Sequence, residues 1–269
     1  MRMTGKKTFL EFIPFLVFIL ILSACSSPDN SVHINYIEYV KKEGDCETDI
    51  YHNCVQILFR YPEISLAENE SVEQKINTQF LDLMMQPILK PTKSETIFDF
   101  QAEFIQDYNE FIKETSASQG WEVTRDIEVR YFNEDFISIV YAEYSFLGGA
   151  HPNNLVLYFN YSLETGNQIK LNDIFINNYS PELTKIGEEE FRALKKLDKD
   201  TSLNAAGFWF ENDSFKLNNN FSINDKNLTF YYNNYEITAY AFGPTKLEIP
   251  LSKISHLMFK DGAVSITRK

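Results

Sequence analysis

Cysteine is scarce in this 269-residue chain, with only Cys25, Cys46 and Cys54 present. Cys46 and Cys54, with Asp45 and His52 nearby, match no zinc-binding spacing, so no metal and no cofactor is expected. Histidine is scarce too. His33, His52, His151 and His256 are scattered, and no H-E-x-x-H pair exists. No G-x-S-x-G elbow, no catalytic cysteine and no phosphate-cradling glycine loop appears, so no catalytic residue stands out by motif. Basic residues are the minority, 25 Lys and Arg against 38 Asp and Glu, for a net charge of -13. That balance excludes a nucleic-acid partner and favours a basic one, if only by speeding encounter. There is no internal repeat and no long low-complexity stretch.

What is present begins with a leader. Arg2, Lys6 and Lys7 precede an apolar run from Phe12 to Leu22, shorter than the roughly 20 residues of a spanning helix. It fits a signal peptide over residues 1–24. Leu22-Ser23-Ala24-Cys25 then resembles the lipobox of bacterial lipoproteins. That resemblance implies cleavage before Cys25, lipid on its thiol, and an extracytoplasmic chain anchored to the cell membrane or outer membrane. Two or three acyl chains anchor stably where one is marginal. Residues 25–32 read as a tether. With Cys25 lipidated, Cys46 and Cys54 remain, and an oxidising compartment favours their disulfide.

Aromatics are abundant, with 23 Phe and 15 Tyr, which favours β structure. Strands are expected from His33 to Lys41 and from Val55 to Tyr61, ended by Pro62. Helices are expected from Ser71 to Gln86 and from Phe98 to Thr115, on apolar stripes at helical spacing. Trp121 to Tyr131, Phe136 to Phe146 and Leu155 to Ser162 alternate as an antiparallel meander, which the turn at Gly166 continues through Gln168 to Leu171. Ser180 as N-cap and Pro181 start a helix to about Leu197. Strands return at Phe215 and Leu217, Leu228 to Tyr232, Thr245 to Pro250 and Val264 to Thr267. The fold class is α+β, with antiparallel sheets, helices packed on one face, and two small domains, 33–145 and 146–269. Asn-x-Ser/Thr triplets, Asn160 and Asn220 among them, are discounted as glycosylation acceptors in a bacterial exported chain.

Two segments hold the candidate binding residues. In Gly148-Gly149-Ala150-His151-Pro152-Asn153-Asn154, the glycines permit unusual backbone angles, and His151 and the asparagines offer polar contacts. The alternative is a tight connection whose histidine caps backbone. The run Tyr231 to Pro244 is either a buried strand followed by a turn or an exposed recognition surface using Tyr235, Tyr240 and Phe242. A competing enzymatic reading, an envelope hydrolase, would use His151 or Glu236 as acid/base; glycosidic chemistry wants a second carboxylate at a set distance.

These segments carry a further resemblance. GGAHPNN, the TGN turn, LNDIF and FYYNNYEITAYAFGP together resemble the PdaC/RsiV-like extracytoplasmic family. It occurs in bacterial lipoproteins, in the outer part of an anti-sigma factor that senses lysozyme, and in the accessory region of a peptidoglycan deacetylase. The resemblance implies a PdaC-like domain at 33–145 and an RsiV-like domain at 146–269. It also implies a binding role without catalysis, toward a lysozyme-like protein or peptidoglycan, with Gly148, Gly149, His151, Pro152, Asn153, Tyr235, Tyr240 and Phe242 as the surface.

Overall fold

The computed structural model describes residues 32–47, 53–67, 69–91, 94–116, 118–260 and 264. The expected leader, the lipidation site Cys25, and His52 lie outside them. Five strands form one sheet in the order β1-β2-β3-β4-β5: β1 (Val32–Gly44), β2 (Cys54–Leu66), β3 (Trp121–Phe132), β4 (Phe136–Leu147) and β5 (Asn153–Ser162). Three more form a second sheet: β6 (Phe221–Ile223), β7 (Asn227–Tyr232) and β8 (Thr245–Pro250). Helices α1 (Glu70–Met84) and α2 (Ile97–Thr115) lie between β2 and β3 in sequence. The short α3 (Leu171–Ile174), then α4 (Ser180–Lys195), precede β6, and α5 (Leu251–Ile254) follows β8. The fold is α+β, as expected. Among the described residues no helix is long and apolar enough to cross a membrane.

The helical stripes become core. Val72, Ile76 and Phe80 of α1 and Phe100, Phe104 and Tyr108 of α2 pack with Ile57, Phe59, Val123 and Ile139 from one face of the large sheet. Asn69 caps α1 by accepting from the Val72 N–H, and Thr96 with Asp99 forms a capping box on α2. The smaller sheet, with Leu228, Phe230 and Ile249, packs with Leu183 and Phe191 of α4 in a second core. Cys46 and Cys54 form the expected disulfide, with Cα atoms 4.9 Å apart, at the turn joining β1 to β2.

Several details differ from expectation, each with a physical reason. The large sheet is not wholly antiparallel. α1 and α2 carry the chain back across, so β2 and β3 pair in parallel from Val55/Trp121 to Arg60/Asp126. Pro62 does not end β2, because β3 accompanies that strand only as far as Arg60. Beyond it β2 has a single strand neighbour, and proline is tolerated as on an edge. The sheet also runs past residue 146. β5 is hydrogen-bonded along β4 from Ser145/Asn153 to Phe136/Ser162, so a boundary at 146 would cut that pair. Leu163, just past β5, still packs in the first core.

The ribbon expected at Gln168 to Leu171 shrinks to one bridge, Tyr161 with Gln168. Asp173 accepts the Lys170 N–H at 2.8 Å and turns the chain into α3. Ser180 opens the first turn of α4 rather than capping it, since Tyr179 holds the cap position. Phe215 and Leu217 are not in a strand. Gly187 of α4 lets them approach so closely that an added Cβ would meet Leu217 at 3.0 Å. Val264 is buried, and the rest of its expected strand lies outside the described residues.

Candidate functional site

The two candidate segments meet. β4 ends at Leu147 and the chain turns through Gly148 with φ of 76°. A Cβ there would strain the backbone and touch Phe111 and Gln119 at 3.4 Å, whereas one on Gly149 would meet nothing. Only the first glycine is therefore demanded by geometry. Gly148→Ala is expected to cost about 1–2 kcal/mol and Gly149→Ala almost nothing, read from urea-unfolding midpoints.

The turn delivers His151 to the surface, with Nδ1 3.1 Å from the Pro152 carbonyl. Its ring stacks on Tyr240, centroids 5.4 Å apart and planes at 25°. Tyr240 in turn lies 5.4 Å from Tyr235, at 33°. A three-ring stack is thus built from the end of the first sheet and the turn after β7. Pro152 is half-buried, and Asn153 and Asn154 open β5 with exposed side chains.

The aromatic run satisfies both of its readings in sequence. Tyr232 is buried in β7, and then the chain leaves the sheet. Tyr235 is 55% exposed and Phe242 74% exposed, so the tail of the run is surface. Tyr235 has φ of 64°, a conformation a bulky side chain rarely adopts. The turn around it is held by Glu236. One carboxylate oxygen accepts from the Asn233 N–H at 2.8 Å, the other from Asn218 at 2.7 Å. Tyr240–Phe242 forms a 3₁₀ turn closed by Gly243, whose φ is 69°.

This assigns roles to the two acid/base candidates. Both Glu236 oxygens serve the turn. Among the described residues, no carboxylate or hydroxyl is hydrogen-bonded to His151, whose ring face is spent on Tyr240. Nor do three or more His, Cys, Asp or Glu side chains converge as a possible metal site among those residues.

Sequence reasoning passed over Trp209. It is 53% exposed, and its backbone N–H donates to the Ile237 carbonyl at 2.8 Å, which places the residue beside the aromatic turn. It borders a groove of about 680 Å³ lined also by Glu211, Lys216, Asn218 and Glu236. The signal was alternation: Trp209 lies between Phe208 and Phe210, both in or against the second core, and so points the other way.

The seam under this surface is polar. The outward edge of β5 meets asparagine amides instead of another strand. Asn233 accepts from the Val156 N–H at 2.8 Å and donates to the Val156 carbonyl at 2.9 Å. Asn220 accepts from the Tyr158 N–H at 2.7 Å and donates to the Val156 carbonyl at 2.8 Å. These amides mimic a strand ladder and close that sheet edge.

Comparison with known proteins matches both halves. Residues 50–154 match the family model described as deacetylase PdaC, and residues 172–252 the one described as a protein of unknown function, DUF3298. The peptidoglycan-N-acetylmuramic acid deacetylase PdaC of Bacillus subtilis is 23% identical over 180 residues, 64% of this chain and 38% of that protein. The chain therefore spans well under half of that relative's length. A DUF3298-family crystal structure from Bacteroides fragilis superposes with a TM-score of 0.71 at 18% identity, covering 87% of this chain and 96% of that one. Another from Pseudomonas aeruginosa gives 0.66 at 16%, covering 87% and 97%. At these identities the two structures establish the fold alone.

Proposed function

We propose, from the premise that this chain belongs to the PdaC-like family with a DUF3298 domain, that it is a cell-envelope binding protein. It is held on a membrane by lipid at Cys25 and has no catalysis of its own. Its ligand surface is the stack of His151, Tyr240 and Tyr235 with Phe242 beside it, and its ligand is a basic, lysozyme-like protein. The observation that carries this reading is the stack itself: two distant segments converge on a solvent-facing set of rigid aromatic rings. Exposed aromatics of this kind are typical anchors of protein interfaces. The net charge of -13 suits a basic partner. The deacetylase relative supports an envelope setting, where peptidoglycan is the other ligand to try.

The test is binding of the secreted chain to a basic lysozyme at low salt and at about 0.5 M salt, where the Debye length is a few ångströms. Binding that survives, and that Tyr240→Ala weakens roughly tenfold, supports a specific interface. Loss at high salt, or no effect of Tyr240→Ala with folding intact, rejects it and turns the search to peptidoglycan fragments. Cys25→Ser is expected to move the chain from the membrane fraction to the soluble one, measured by fractionation of the producing cells.

A further inference from the structure

The two edges of the large sheet are treated differently. β5 is closed by the Asn220 and Asn233 amides. β1 is the other edge; among the described residues its strand pairing is with β2 alone, over all thirteen of its residues. It carries Tyr36, Ile37 and Val40 at 39%, 36% and 59% exposure, and Phe98 of α2, 72% exposed, stands edge-on to Tyr39 beside it. A long apolar edge is a template for another strand, and proteins usually blunt it. Here no proline or bulge does so. The blunting devices present are charges, Glu38, Lys41, Lys42 and Glu43, and these are of mixed sign.

We propose that β1 pairs with β1 of a second copy of this chain, antiparallel about a two-fold axis at Val40. The charge order selects that register. Residues opposite each other across such an axis lie on the same face of the sheet. With the axis at Val40, Glu38 faces Lys42 of the second copy, twice by symmetry. Tyr39 faces Lys41 of the second copy, Val40 faces its own equivalent, and no like charges meet. An axis at Glu38, Lys41 or Lys42 sets identical charges face to face. An axis at Tyr39 leaves Glu38 opposite Val40 and wastes the pairing. The same strand addition covers Phe98 and buries Val40 beside the shallow hollow that it lines with Glu38, Leu58 and Thr124. The pairing is independent of the ligand surface, which belongs to the opposite edge of the sheet.

The experiment is oxidative cross-linking of the full chain in membranes of the producing cells. Val40→Cys is expected to give a disulfide-linked species of twice the chain mass, and Lys226→Cys, on the turn between β6 and β7, to stay monomeric. Glu38→Lys or Lys42→Glu, each combined with Val40→Cys, should cut the linked fraction about tenfold, because attraction turns to repulsion at two symmetric positions. The double exchange Glu38→Lys with Lys42→Glu should restore it. A Val40→Cys chain that links no more than Lys226→Cys overturns the proposal. So does linkage to a different envelope protein, or a double exchange that restores nothing.

Discussion

The Arg125→Met chain is expected to unfold with about 3–5 kcal/mol less stability than the native chain, the scale for removing one partner of a buried ion pair. Arg125 lies on β3 with its side chain fully buried, and its Nε donates to Glu143 Oε2 at 2.8 Å. Its two terminal nitrogens donate to the carbonyls of Met84 and Gln86, at and just past the end of α1. Its guanidinium lies 4.8 Å from the ring centre of Phe100 and 5.6 Å from that of Phe59. One side chain therefore ties β3, β4, the C-terminus of α1 and the aromatic face of α2. Methionine fills the volume but strands the Glu143 carboxylate, which among the described residues keeps the Tyr141 hydroxyl at 2.7 Å. It also leaves the buried Met84 carbonyl at the end of α1 without its guanidinium partner. Arg125→Lys should recover only part of the loss, since an ammonium cannot make the forked contacts. Arg125→Met with Glu143→Leu should be more stable than Arg125→Met alone, because the orphaned charge goes too. Urea unfolding of the four chains checks this, and equal midpoints for native and Arg125→Met would refute the role.

Arg125 also shows what was legible in the sequence and what was not. The alternation Trp121, Val123, Ile127, Val129 declared the strand and its inward face, and the position it skipped is Arg125. A charge at a core position is a visible anomaly, but its partners come from residues 84, 86 and 143, and no local pattern points to them. Helix stripes were readable for the same reason strands were: burial imposes a period. Pairing partners impose none. The parallel register of β2 with β3 and the passage of Pro62 through a strand both depend on where a distant element lies. At the site, composition singled out both segments, and Gly148 declared its turn. That His151 would stack on Tyr240 depends on where a distant element lies, and that Glu236 would be consumed by the Tyr235 turn depends on Asn218, eighteen residues earlier. Asn160 and Asn220 also begin Asn-x-Ser triplets, and no local pattern announces that their amides bind backbone across the seam.

That role sets the second large effect: Asn160→Ala is expected to cost roughly 3 kcal/mol, from more than one buried polar group left unpaired. Asn160 is 1% exposed, on β5 where the two cores meet. Its amide donates to the Phe221 carbonyl at 3.0 Å, and its oxygen accepts from the Ile223 N–H at 3.2 Å and from the Ser138 hydroxyl. Ser138, also fully buried, has one hydroxyl proton to share between that oxygen and the Ile223 carbonyl, 2.7 Å away. Both backbone groups of Ile223 and the carbonyl of Phe221 thus depend on two side chains from the first sheet. Alanine removes the amide and with it the cross-links that hold the seam closed. An opened seam would also let the Asn220 and Asn233 contacts to Val156 loosen, and with them the turn that presents Tyr235. Asn160→Ala should therefore do two things that an ordinary core truncation would not. It should speed amide hydrogen exchange at Val156, Tyr158 and Ile223 ahead of the α1 and α2 amides, and it should weaken the His151–Tyr240 stack. If exchange instead rises uniformly across both cores, the two units unfold as one and the seam is no weaker than the rest.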